Sequence, residues 1–127
     1  MSSSGLIGRA VPRPDARRLI DGAGCYLDDV RVPGTLEVFF IRSPYACARI
    51  VDIDRSNARS APGVHDVITG EDLLPFYEPW TAVLTNLGEM KSAAQPAMAV
   101  DIARWCGEPV AAVVAETRAE AEDAADL

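Results

Sequence analysis

The sequence predicts a small α+β domain: a mixed sheet with a short helix after Asp54 and a capped helix after Thr117, entered by an extended N-terminal arm. Three observations predict it. Leu36 to Arg42 is an aromatic and β-branched run with the composition of a strand. Val110 to Ala115 is wholly apolar and follows the tight turn Gly107-Glu108-Pro109, as a strand buried on both faces would. Thr117-Arg118-Ala119-Glu120 then matches a capping box, in which a threonine hydroxyl and a glutamate carboxylate satisfy each other's free amides at a helix start.

The elements follow in order. Residues 1–14 mix Ser, Gly, Arg and Pro without a period and form part of an arm taken to run to residue 18, so the folded domain is expected over 19–127. Val32-Pro33-Gly34-Thr35 is a turn, because proline fixes φ and glycine permits the positive φ that follows. The strand after it carries apolar residues at both parities, which predicts cover on both faces. Ser43-Pro44 interrupts it, since proline donates no ladder hydrogen bond. The chain is expected to resume as a strand over Ala48 to Asp54, with Val51 and Ile53 on one face.

Arg55 to Ala61 has room for two helical turns capped by Asp54 or Ser56, and Pro62-Gly63 ends them. Val64 to Ile68 reads as a third strand, and Thr69 to Leu73 as a turn or short helix. Residues 75–96 show no period, and a connection of that length is either a functional loop or a segment held by another domain. Ala97 to Cys106 fits a further strand. In the closing helix Ala121, Ala124 and Ala125 share a narrow face suited to close packing on a sheet. A strand after Leu127 would complete this unit; without one a sheet edge is left for a partner or a longer chain to cover.

Composition bounds the function. A chain of 127 residues supports one domain with a core, burying roughly two-thirds of its unfolded surface. Hydrophobic (49%) and charged (24%) fractions are those of a globular protein. A net charge of -7 argues against nucleic acid as a partner, which needs clustered cations. The charge is uneven, with Arg9, Arg13, Arg17 and Arg18 near the start and Glu116, Glu120, Glu122, Asp123 and Asp126 near the end. No apolar run is long enough to span a membrane and no secretory signal opens the chain, so a cytoplasmic location is expected. Cys25, Cys47 and Cys106 are too far apart for a CxxC signature and are expected as buried or half-buried free thiols.

No constellation in the sequence carries chemistry. His65 is the sole histidine, lies beside Asp66, and has no cysteine or carboxylate at a metal-ligand spacing. Gly5-Leu6-Ile7-Gly8 lacks the lysine of a phosphate-binding loop, and Gly22-Ala23-Gly24 lacks the third glycine of a dinucleotide fingerprint. The late carboxylates fall on a helix as its solvated face. Trp80 and Trp105 are not interleaved with cations as a base-stacking surface would require. No catalytic, cofactor-binding or metal-ligating residue is therefore assigned.

Four local patterns in order carry a resemblance. Ile7-Gly8-Arg9 to Asp15-Ala16, with Tyr26 and Asp28-Asp29-Val30, is the first. Pro33-Gly34-Thr35-Leu36 with Arg42-Ser43-Pro44-Tyr45-Ala46-Cys47-Ala48-Arg49-Ile50 is the second, and Pro62-Gly63-Val64 to Thr69-Gly70-Glu71-Asp72-Leu73 is the third. The fourth is Gly107-Glu108-Pro109 to Glu116, with Ala119, Ala121, Glu122, Ala124 and Ala125. Together these resemble the N-terminal α/β hammerhead domain of the molybdenum hydroxylase large subunits, the xanthine dehydrogenase, aldehyde oxidase and carbon monoxide dehydrogenase family. Cys47 departs from the pattern, standing where histidine is usual.

The resemblance implies a molybdopterin cofactor in a full-length enzyme, with iron-sulfur and FAD groups in partner subunits or domains. It implies partners in the molybdenum-binding domains and the iron-sulfur and flavin subunits of the same enzyme, and an architectural part for these residues. The competing expectation is a stand-alone assembly module that oligomerises through an uncovered sheet edge.

Overall fold

A computed structural model describes residues 5–83 and 86–127. The chain divides into two compact units, Met1–Gly34 and Thr35–Leu127. In the first, Ala16–Ile20 form a short helix, α1, where an extended arm was expected to reach residue 18. Arg13 and Asp15 pair at 2.7 Å just ahead of it. Leu27–Asp29 make a single 3₁₀ turn, which the Asp29 carboxylate caps by accepting the Tyr26 N–H at 2.9 Å.

The second unit is built on a three-stranded sheet of β1 (Glu37–Arg42), β3 (Val64–Thr69) and β5 (Pro109–Ala115), in the order β1-β5-β3. Two further short strands, β2 (Ala48–Arg49) and β4 (Ile102–Ala103), pair with each other. All the described ladders are antiparallel, so the expected mixed sheet is instead two small antiparallel ones. Arg42 stands opposite Pro109 and Ala48 opposite Ala103, so equal lengths of chain, 43–47 and 104–108, separate the two ladders. Across this gap Ser43 N–H donates to Glu108 O at 2.9 Å and Gly107 N–H to Ser43 O at 2.8 Å.

The helices are α2 (Ser56–Ser60), α3 (Gly70–Leu73) and α4 (Arg118–Ala125). Asp54 holds the start of α2, its Oδ1 accepting from the Ser56 N–H at 3.0 Å and hydroxyl at 2.7 Å. The capping box of α4 forms as expected: Thr117 Oγ1 accepts the Glu120 N–H at 3.3 Å, and Glu120 Oε2 accepts the Thr117 N–H at 3.0 Å. Thr69 and Asp72 build the same device ahead of α3, with Asp72 Oδ2 accepting the Thr69 N–H at 2.8 Å.

The core lies between one face of the sheet and the helices α2 and α4. Val67, Val113 and Ala115 meet Ala58, Ala121 and Ala124 there, flanked by the half-buried Phe39, Ile41 and Val64. Alanines on both helices let them approach closely enough to seal the two valines, whose burial is worth roughly 1.5 to 3 kcal/mol each.

Several expectations need correcting. The strand expected over Ala48 to Asp54 stops at Arg49, and Val51, placed on a buried face, is 90% exposed. The strand expected over Ala97 to Cys106 is confined to Ile102–Ala103. Only one face of β1 is packed: Phe39 and Ile41 are half-buried while Val38 and Phe40 are exposed. All three cysteines are exposed free thiols rather than buried ones. Within 75–96, Trp80 and Gln95 exchange backbone hydrogen bonds at 2.9 and 2.8 Å and so pinch the base of the connection.

Candidate interaction surface

Three features of the second unit are open to a partner. The first is the sheet face turned away from α2 and α4. Antiparallel pairing sets Val38 opposite Val114, and Phe40 opposite Ala112, which itself stands opposite Ile68 on the other side. These side chains make an apolar row in which Val38 is 50% and Phe40 44% exposed. Arg42 ends the row, its guanidinium 5.6 Å from the Phe40 ring centre and its Nη1 donating to Gly107 O at 2.9 Å.

The second is a groove of about 380 Å³ beside the gap between the two ladders, with Ile41, Tyr45, Ile50, Ile53, Ala103 and Val110 among its walls. The third is a pocket of about 260 Å³ formed by the chain around Asp52, Arg55, Thr69, Gly70, Glu71 and Ala99. Gly70 is required at this last site. A Cβ there would fall inside the van der Waals surface of Ala99 O, so any other residue would push α3 away from the 98–100 segment.

The charged groups of this unit are mostly committed to structure. Arg55 pairs with both oxygens of Asp72, and its Nη1 also donates to Val67 O at 3.0 Å. Arg59 donates to Asp66 Oδ1 at 2.7 Å, and that carboxylate accepts the Val67 N–H at 2.7 Å. The Asp72 carboxyl is held well below the ordinary carboxylate range, first by the Arg55 guanidinium and then by the Thr69 amide and hydroxyl, against a desolvation that opposes them. The Asp66 carboxyl is lowered chiefly by the Val67 N–H.

The residues singled out for chemistry stay apart. His65 is exposed with Nε2 3.7 Å from Glu116 Oε1, an ion pair across the strand end when the imidazole is protonated. Of the late carboxylates, Glu122 pairs with Arg118 at 2.7 Å and Glu120 serves the cap. Among the described residues no three His, Cys, Asp or Glu side chains are grouped to hold a metal. No local pattern marks Glu108, whose side chain is nevertheless only 1% exposed. Its Oε2 accepts the Arg104 N–H, and among the described residues its Oε1 has no partner.

A family model for the aldehyde oxidase and xanthine dehydrogenase a/b hammerhead domain matches residues 21–127. The chain belongs to this hammerhead family. The nicotine 6-hydroxylase large subunit of Paenarthrobacter nicotinovorans is 46% identical to it over 122 residues, covering 96% of the chain and 15% of that subunit. The carbon monoxide dehydrogenase large chain of Hydrogenophaga pseudoflava is 35% identical over 126 residues, covering 99% of the chain and 15% of the relative. Among solved structures, quinoline 2-oxidoreductase from Pseudomonas putida 86 superposes with a TM-score of 0.88 at 40% identity, covering 98% of the chain and 16% of that molecule. The hammerhead chain thus spans about 15% of the length of the curated relatives it matches.

Proposed function

We propose that this hammerhead chain is a structural portion of a molybdopterin-dependent oxidoreductase large subunit, of the hydroxylase or carbon monoxide dehydrogenase type, and that the chemistry takes place elsewhere in the enzyme. The observation that carries the reading is the end-to-end match of 96% of the chain to 15% of a hydroxylase large subunit. The sheet supports it: one face is sealed by α2 and α4, and the other offers an apolar row suited to a second layer of protein.

Molybdopterin, with iron-sulfur and FAD groups in partner subunits or domains, is the cofactor set this reading brings. The donor set of the groove does not fit such a cofactor. Its walls are mainly the aliphatic side chains of Ile41, Ile50, Ile53, Ala103 and Val110, and the nearby Arg42 is already bonded to Gly107 O. The part of these residues is to pack against the cofactor-bearing domains and hold them in register.

An affinity tag on this chain, expressed in its own host, tests the proposal. Molybdenum by elemental analysis, together with iron-sulfur and flavin proteins in the eluate, is the expected result. A chain recovered alone and metal-free from cells that contain active molybdenum enzymes would overturn it.

A further inference from the structure

The corner where the two ladders meet holds two of the three cysteines. Cys47 ends the arm 43–47, and Cys106 lies within the facing arm 104–108. Backbone hydrogen bonds from Ser43 N–H to Glu108 O and from Gly107 N–H to Ser43 O tie the arms at one end. The Ala48–Ala103 pair ties them at the other. The two thiols therefore belong to one small hydrogen-bonded ring, whereas Cys25 lies in the first unit of the chain.

Neither arm runs extended. Ser43 Oγ accepts the Tyr45 N–H and donates to Tyr45 O, both at 3.1 Å, so the first arm bends at Pro44. In the second arm the Glu108 N–H donates to Trp105 O at 3.2 Å, a tight turn with Cys106 and Gly107 at its centre and Gly107 at φ 91°. Turns in both arms draw the ring together. The Cys106 thiol rests on the opposite arm, its Sγ 3.6 Å from Pro44 O, and Cys47 follows three residues after that proline. Both thiols are exposed, so a reagent reaches them in the folded chain.

We propose that Cys47 and Cys106 are a redox pair, which a low-molecular-weight disulfide such as oxidised glutathione converts to a disulfide across the corner. One thiolate of the pair attacks the reagent, forming a mixed disulfide and releasing one glutathione thiolate. The second protein thiolate attacks the protein sulfur of that mixed disulfide and releases the other glutathione. The protein loses two electrons and two protons, and oxidised glutathione becomes two molecules of glutathione. Membership of one ring favours this second step over capture of another reagent molecule, because the two thiols meet at a high effective concentration. The bond fixes the ribbon of β2 and β4 against the end of β1 and β5. The groove of about 380 Å³ draws Ser43, Pro44, Tyr45, Ala48 and Ala103 from the ring and its closing pair, so the bond also fixes one of its walls. This pairing depends only on the corner and holds whether or not the chain is part of a large subunit.

The tagged chain, as recovered from its host, is reacted with oxidised glutathione, and its cysteine-containing peptides are mapped by mass. The expected product joins Cys47 to Cys106, with Cys25 outside the bond. Formation of a disulfide requires Cα atoms within about 7 Å, so it reads directly how closely the folded ring holds the two residues. The bond is expected to form at least about tenfold faster in the native chain than in the chain unfolded in urea. It should raise the thermal unfolding midpoint by about 5 to 10 °C, a gain that reduction removes. Cys47→Ser and Cys106→Ser should each leave the remaining corner thiol as a mixed disulfide with glutathione.

Two separate mixed disulfides at Cys47 and Cys106 in the native protein overturn the pair. So does a bond from either of them to Cys25, or a Cys47–Cys106 bond that forms no faster in the native chain than in urea. An oxidised chain that unfolds at or below the midpoint of the reduced one overturns the fixing of the corner.

Discussion

Glu108 is an uncommon resident of a protein interior, since burying a carboxyl group is costly wherever its oxygens lack donors. One oxygen has the Arg104 N–H, which ties the 104–108 bend to the start of β5. Removing the side chain strands that amide, and Glu108→Ala is expected to lower unfolding stability by about 1 to 3 kcal/mol in urea titrations. Glu108→Gln, which keeps an acceptor, should lose less. A loss no greater than that of the exposed Glu89→Ala would refute the role. Gly63 makes a second residue-scale case. It sits at φ 73°, and a Cβ there would run into the Glu120 carboxylate that caps α4. Gly63→Ala therefore combines backbone strain with a disturbed cap, a cost of about 1 to 3 kcal/mol. Thermal unfolding of that variant at an unchanged midpoint would show the clash is relieved for free. The thiols give a simpler test: native protein should react with a disulfide reagent at three cysteines without denaturant, because all three are exposed.

At the scale of elements, the caps and edge pairs set how stability responds to pH. Asp72 and Asp66 both have carboxyl groups lowered below the unfolded value of about 3.9. The stability they contribute is thus present above about pH 4 and is lost as pH falls toward their folded values. Asp72→Asn should be less stable than the parent at pH 7, with the gap closing as the pH drops below about 4. A gap independent of pH would rule out the charge as its cause. Helix α4 depends on its box, and Thr117→Ala should cost about 0.5 to 2 kcal/mol. The double variant with Glu120→Ala should cost less than the two single losses added, because they share one capping device.

Across the whole molecule, one sheet face is finished by α2 and α4, one edge is finished by arginines and aspartates, and the remaining face and edge are open. This asymmetry suits a domain built to be joined at one side. The long connection over 75–96 belongs here too. Its base is pinched by Trp80 and Gln95 and tied by the Ala97 N–H, which donates to the Tyr77 hydroxyl at 2.9 Å.

The sequence by itself determined the elements whose signals are local. The capping box at Thr117, the turn at Gly107, the helix after Asp54 and the strands β1, β3 and β5 are all set by residues within a few positions of one another. The ordered motifs likewise sufficed for the hammerhead family. Tertiary structure alone decided which of two apolar parities on β1 would be covered, because Val38 and Phe40 are as hydrophobic as Phe39 and Ile41, and only the position of α4 separates them. It decided that Ala48 to Asp54 and Ala97 to Cys106 contribute two-residue strands, since a strand lasts only as long as its neighbour runs beside it. It also decided which edge is closed. Arg55, Arg59, Asp66 and Asp72 read as solvated charges in one dimension, and become the seal of β3 only when α2 and α3 are folded against that strand.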